Sequence, residues 1–299
     1  MTDPKQPVII DHQADESPRY EKKKSNYIKE SGDRIESIAR HHGLDALLSS
    51  QKPEKTTLER ALVRERKRKE QQQKNLEKIL KVAYASCKKE TAGDPDQDWL
   101  QRFFDMAKDI HNTSMQKLWA QVLKREVTNP GSTSMKALQI LKDMTPKEAQ
   151  ILQRVASLSC HFGADSSLKF LIGLRAQGGI FSFGKRNLTN NLNLGHFQLN
   201  YSSLLVLFEL GIMHATELES GEIGLETPLS LGYQGKNLSL QAQNRGVHLL
   251  YYRFTPTGNE LCKLLGNKPN MQYYDEMVAL LSQKFSVHTD VQSTIHHTV

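Results

Sequence analysis

The sequence predicts a mainly α protein: a long charged N-terminal helix, a compact helical module, then a winged-helix-like α+β unit. Three observations predict it. Apolar residues recur at i, i+3, i+4 and i+7 through four consecutive segments of residues 94–160, and both tryptophans of the chain fall there. Residues 53–90 read as one helix with apolar residues only at its two ends. After Gly163, an apolar helix, turn-separated strands and a further helix follow in the order expected of a winged helix.

The elements can be justified in order. Residues 1–30 are polar and include Lys22-Lys23-Lys24, so a disordered tail is expected. Residues 31–92 hold a short helix (Asp33 to Leu48, with Ile35, Ile38 and Ala39 on one face and Gly43 as a stop) and the long helix. Arg64 to Asn75 contains no apolar residue, so that stretch is expected to cross solvent or meet a charged partner. Glu65 with Lys69, Glu70 with Lys74, and Glu77 with Lys81 support it at i, i+4.

Residues 93–162 form the helical module. Trp99, Phe103, Met106 and Ile110 mark its first helix, and Met115, Leu118, Trp119, Val122 and Leu123 its second. Met135, Leu138 and Leu141 mark the third, and Ile151, Leu152, Val155 and Leu158 the fourth. Asp94-Pro95, Thr113 with Gln116, and Thr145-Pro146 with Glu148 offer N-caps. Residues 163–268 make the winged-helix-like unit. It comprises a helix at Ser166 to Gln177, an apolar helix at Tyr201 to Met213, strands near 223–231, 238–241 and 247–254, and a helix from Thr255-Pro256. A C-terminal helix within 269–287 and a flexible tail, 288–299, complete the chain.

Composition bounds function. The chain has 299 residues, 38% of them hydrophobic, and a mean hydropathy of −0.55. The N-terminus shows no secretory pattern and no apolar run approaches a membrane span. Three widely spaced cysteines argue for a reducing compartment, so a cytoplasmic protein is expected. Of the net charge of +7, residues 54–90 supply +6, with twelve Lys/Arg against six Asp/Glu.

That charge makes Arg64, Arg66, Lys67, Arg68 and Lys69 the leading candidate surface, for phosphate backbones or an acidic partner. The competing reading is a solvated helix, and no interleaved aromatic signals base stacking. Lys185 and Arg186 precede the expected hairpin and join the nucleic-acid candidates. Gly179 to Lys185 matches a phosphate-binding loop for seven positions, but Arg186 replaces the Mg²⁺-ligating hydroxyl, so nucleotide hydrolysis is not expected. The pairs His41-His42, Cys160-His161 and His296-His297 lack partners at metal-ligand spacing. Asp105 and Asp109 read as solvated, and Cys160 and Trp119 as core. No catalytic residue, metal ligand or cofactor is assigned.

The run LWAQVLKREVTNPGSTSMKALQILKDMTPKEAQIL at 118–152 resembles a bacterial module of families of unknown function. It is similar to helical proteins associated with abortive infection, over about 60 residues. LFELGIM and FTPTGNELCKLL resemble pieces of a winged-helix domain. The resemblance implies a phage-defence link and carries no catalytic motif.

The resulting expectation is a non-enzymatic interaction or regulatory protein of the bacterial cytosol with a protein partner or self-association. The alternative is a nucleic-acid-binding protein. No membrane partner and no small-molecule substrate is expected.

Overall fold

An antiparallel β-sheet of eight strands, assembled from segments 160–289, is the framework of the C-terminal part of the larger unit. The computed structural model describes residues 30–48, 53–176, 188–266 and 268–289. The chain divides into two units, Met1–Arg68 and Lys69–Val299.

In the first unit, α1 (Ser31–His42) ends at Gly43, whose left-handed φ of 64° lets its N–H reach back to the α1 carbonyls. The second helix, α2 (Thr57–Ser86), starts in this unit and is about 45 Å long at 1.5 Å per residue. Its Thr56–Glu59 cap is reciprocal: Thr56 N donates to the Glu59 carboxylate at 2.7 Å and Glu59 N to Thr56 Oγ1 at 3.3 Å.

In the second unit, the remainder of α2 buries Asn75, Ile79 and Ala83. Lys69 to Lys74 stay exposed or half-exposed, as their composition suggests, and of the polar stretch only Asn75 is buried. Asn75 Nδ2 donates to the Lys108 carbonyl at 2.9 Å, and Gln72 Nε2 donates to Asp109 Oδ1 at 2.8 Å. A polar side chain can be buried when its groups are paired this way. Four further helices follow: α3 (Gln97–Ala107), α4 (Thr113–Thr128), α5 (Met135–Asp143) and α6 (Pro146–Ser157). Phe103 centres their aromatic core, 5.3 Å from both the Trp99 and Trp119 rings. Trp99 Nε1 donates to the Thr133 carbonyl at 2.8 Å, so its polar end is satisfied inside.

The expected caps shift by one or two positions in two cases. Asp96, not Asp94, caps α3, and Asn112, not Thr113, caps α4. Gln116 is then free to donate to the Ile110 carbonyl at 2.8 Å. Thr145, Pro146 and Glu148 form the full capping box of α6.

The expectation of a mainly α fold is overturned. Residues 166–177, read as a helix, contain β2 (Lys169–Ala176), which lies inside the sheet. Its run Phe170-Leu171-Ile172 is buried throughout, and a strand covered on both faces has no alternation to betray it. β2 pairs along one edge with β7 (Val247–Arg253). On the other edge it pairs with β1 (Cys160–Phe162) and β3 (Leu188–Asn191). The sheet order is β4-β7-β2-β1-β5-β6-β8, where β4 is Leu218–Glu219, β5 is Leu229–Tyr233, β6 is Lys236–Ala242 and β8 is Phe285–Thr289.

The winged-helix-like unit is replaced by this sheet. β5 and β6 form the hairpin expected at Gln234-Gly235, but β7 leaves β6 and pairs instead with β2 and β4. The protein is therefore α+β. The helices α7 (Tyr201–Glu209), α8 (Pro256–Leu265) and α9 (Met271–Leu281) complete it, with a 3₁₀ turn at Leu194–Phe197. The expected last helix ends at Leu281, and Phe285–Thr289 pairs with β6 as an edge strand.

α8 joins the two halves of this unit. It packs on α4, α5 and α6. Asn259 Oδ1 accepts from Leu168 N at 2.7 Å, just before β2, and Glu260 accepts from Ser134 N at 2.9 Å, the cap of α5. Tyr273 of α9, fully buried, donates to the Leu171 carbonyl of β2 at 2.8 Å.

Candidate interaction surface

The basic run is presented as the sequence suggests, but not on one face. Arg64, Arg66, Lys67, Arg68 and Lys69 are all exposed. At 100° per residue, such closely spaced positions encircle a helix.

Within the first unit, His42, Asp45, Lys55, Arg60, Arg64 and Lys67, with Gly43 and Val63, surround a small cavity of about 100 Å³. Arg60 is held in place, donating from Nη1 to the Lys55 carbonyl at 2.6 Å. The end of α1 and the segment before α2 therefore bring His42 and Lys55 beside Arg64 and Lys67, which the run alone does not reveal.

None of the described residues 30–48 and 53–68 is buried. Ile35, Ile38, Leu58 and Leu62 are 50–69% exposed. Ile35 with Ile38, and Leu58 with Leu62, stand at helical spacing, so each helix carries an apolar stripe without a core of its own.

Lys185, Arg186, the loop from Gly179 to Lys185 and the His296-His297 pair lie outside the described residues. His41 and His42 touch edge to face with ring centroids 5.0 Å apart. No group of three or more His, Cys, Asp or Glu able to hold a metal occurs among the described residues. Asp105 is paired with Lys108 at 2.8 Å, which holds its carboxyl below the usual range. Cys160 is buried in β1, and burial pushes its thiol up to about 12. Burial raises the Cys262 thiol as well. Neither is poised as a nucleophile.

A groove of about 400 Å³ lies among Phe162, Lys169, Tyr251 and the Ser220–Gly224 loop. Its one buried cation is already compensated: Lys169 Nζ bonds Asp165 Oδ1 at 2.5 Å and the Ser167 carbonyl at 3.2 Å, and sits 5.1 Å from the Phe162 ring centre. No described helix is long and apolar enough to cross a membrane.

The structure thus defines a class: an α+β protein with an exposed basic and apolar helical surface. The chain belongs to a family described as protein of unknown function (DUF2806), whose model matches residues 59–278. The match begins inside α2 and runs into α9, so it takes in the basic run, the helical module and strands β1 to β7, and stops before β8. No curated protein and no solved structure matches.

Proposed function

We propose that the protein is a non-enzymatic interaction protein that binds a protein partner through α1 and the first half of α2. The observation that carries this reading is the absence of any buried side chain among the described residues of the first unit. Its apolar stripes nevertheless stand exposed. A partner that covers Ile35, Ile38, Leu58 and Leu62 would supply the missing burial, about 25 cal/mol per Å² of apolar surface removed from water. The surrounding basic residues would favour an acidic rim on that partner. The phage-defence link implied by the 118–152 run belongs to the same reading and rests on the resemblance alone.

The test is affinity capture with the tagged full-length chain, beside a variant with Ile35, Ile38, Leu58 and Leu62 changed to Ser. These side chains are exposed, so the variant should keep the wild-type melting temperature. A partner retained by the wild type and lost by the variant supports the reading. An identical captured set removes it.

A second reading, nucleic-acid binding, is favoured by one observation: all five cations of the 64–69 run face solvent. Binding to labelled RNA and duplex DNA across a salt series tests it. Five phosphate contacts would give a log–log slope on duplex DNA of about −4.5. Changing the five to Gln should abolish binding. No binding at low salt eliminates this reading.

A further inference from the structure

The cleft at the C-terminal ends of α2, α4 and α8 holds a group that the fold leaves unexplained. Arg125, in the last turn of α4, is half-buried, and its Nε is fully shielded from solvent without a hydrogen-bond partner. Among the described residues its guanidinium makes no ion pair. A guanidinium has five donors, and buried donors are normally paired. The cations beside it differ in this respect. Lys124 Nζ donates to the Ser86 carbonyl at 2.9 Å, closing the end of α2, and reaches Glu90 Oε1 at 3.2 Å.

The cleft measures about 530 Å³ and is lined by Glu90, Gln121, Lys124, Arg125, Thr128 and Lys263, among others. That volume lies within the range of small-molecule sites, about 300–1,000 Å³. Glu90 offsets Lys124, whereas Arg125 and Lys263, each in the last turn of its own helix where the dipole favours a cation, have no carboxylate partner among the described residues. The helix carbonyls that converge here account for Lys124, whose ammonium they engage, but no carbonyl accepts from Arg125.

We propose that this cleft binds a small phosphate-bearing ligand, with Arg125 as the planar fork and Lys263 as the flanking charge. Two cations without a carboxylate partner match a phosphate group, which carries about −1.5 to −2 at neutral pH, better than a singly charged carboxylate. The forked donors of Arg125 fit two phosphate oxygens at once. No aromatic side chain lines the cleft, so recognition runs through the phosphate rather than through a stacked ring. No residue of the first unit lines this cleft, so the proposal does not rest on the partner-binding reading. It also adds a small-molecule ligand, which the composition of the chain did not suggest.

Titration calorimetry of the full chain with inorganic pyrophosphate, inorganic phosphate and acetate tests the proposal at low and at moderate salt. Pyrophosphate should bind with a sub-millimolar Kd and raise the melting temperature, and acetate should not. Arg125→Met should weaken pyrophosphate binding by about 10-fold or more, the scale of a lost charge-assisted bidentate contact. Arg125→Lys should retain part of it and Lys263→Gln should weaken it several-fold. Without ligand, Arg125→Met should melt at or above the wild-type temperature, because it removes an unpaired buried donor. If that variant unfolds instead, Arg125→Lys and Lys263→Gln carry the comparison. Three results overturn the proposal: no binding of pyrophosphate at about 10 mM and low salt, far above any specific Kd; equal affinity for acetate; or binding that survives Arg125→Met but disappears when the five cations of residues 64–69 become Gln.

Discussion

Replacing Gly258 with Ala should destabilise the larger unit far more than one methyl group ordinarily does. Gly258 lies in the first turn of α8, where the helix passes directly over the backbone of Ile212. A Cβ at this position would overlap the Ile212 carbonyl oxygen and stand 2.9 Å from its carbon and 3.2 Å from its Cα. Non-bonded heavy atoms prefer about 3.5–4.0 Å, so clearing the overlapped oxygen requires α8 to retreat by about 1 Å or more. The obstacle is backbone and cannot rotate away. That same carbonyl accepts from Thr255 N at 3.0 Å, and Thr255 Oγ1 donates to the Gly211 carbonyl at 2.6 Å, so the retreat strains the cap of α8.

It would also loosen the bonds from Asn259 to Leu168 and from Glu260 to Ser134, which tie α8 to the sheet and to α5. Overpacking in such a place costs about 2–4 kcal/mol. For a unit of this size that corresponds to a fall in melting temperature of roughly 4–16 °C. Thermal and urea denaturation followed by tryptophan fluorescence would report it, because Trp119 sits in α4, on which α8 packs, and Trp99 lies in the aromatic core it shares with Phe103. Gly224→Ala is the control. Nothing lies within 4 Å of its Cβ position, so it should stay within about 0.5 kcal/mol of wild type. If Gly258→Ala matched that control, the close approach of α8 to Ile212 would not constrain the fold.

Asp165 provides a pH prediction. Hydrogen bonds from Lys169 and Ser167 hold its carboxyl at about 2, below the ordinary 3.8. A depressed folded-state value means the pairing contributes stability above about pH 4, and that contribution disappears as pH falls toward 2. Asp165→Asn should therefore lower the urea midpoint at pH 7 and lose less than wild type between pH 4 and 2. Equal acid losses would show that the pairing contributes nothing. Thr145→Ala removes the acceptor for Glu148 N, which is one half of the capping box, and should cost about 1 kcal/mol in thermal denaturation, with Thr145→Ser largely neutral. In a thiol-titration assay of the native protein, Cys87 alone should react rapidly, since Cys160 and Cys262 are buried. All three should react in urea.

How far these features were legible in the sequence depended on how local their causes are. The long helix was readable from its spacing and lack of breakers, and the α6 capping box from Thr145, Pro146 and Glu148 alone. The basic run was readable too, because charge clustered within six positions survives folding wherever the helix stays exposed. The caps of α3 and α4 were nearly readable. Asp96 and Asn112 won over Asp94 and Thr113 because each places its side-chain oxygen on a free amide: Asp96 on Trp99 N, and Asn112 on Ser114 N and Met115 N.

The sheet was not legible. β2 lies between β7 on one edge and β1 with β3 on the other, and it is buried along nearly its whole length, so the apolar run Phe170-Leu171-Ile172 could be read as helix or strand. β8 was hidden because an edge strand after a helix becomes a strand only when β6 is there to pair with it. The Arg125 cleft collects residues from 86–91, 121–128 and 263–266, and an unpaired guanidinium can be recognised only when everything around it is in place. The sequence by itself determined helices, caps and charge, whose energies arise within a few residues. Strand partners and the cleft depend on contacts between distant segments, and only the tertiary structure decided those.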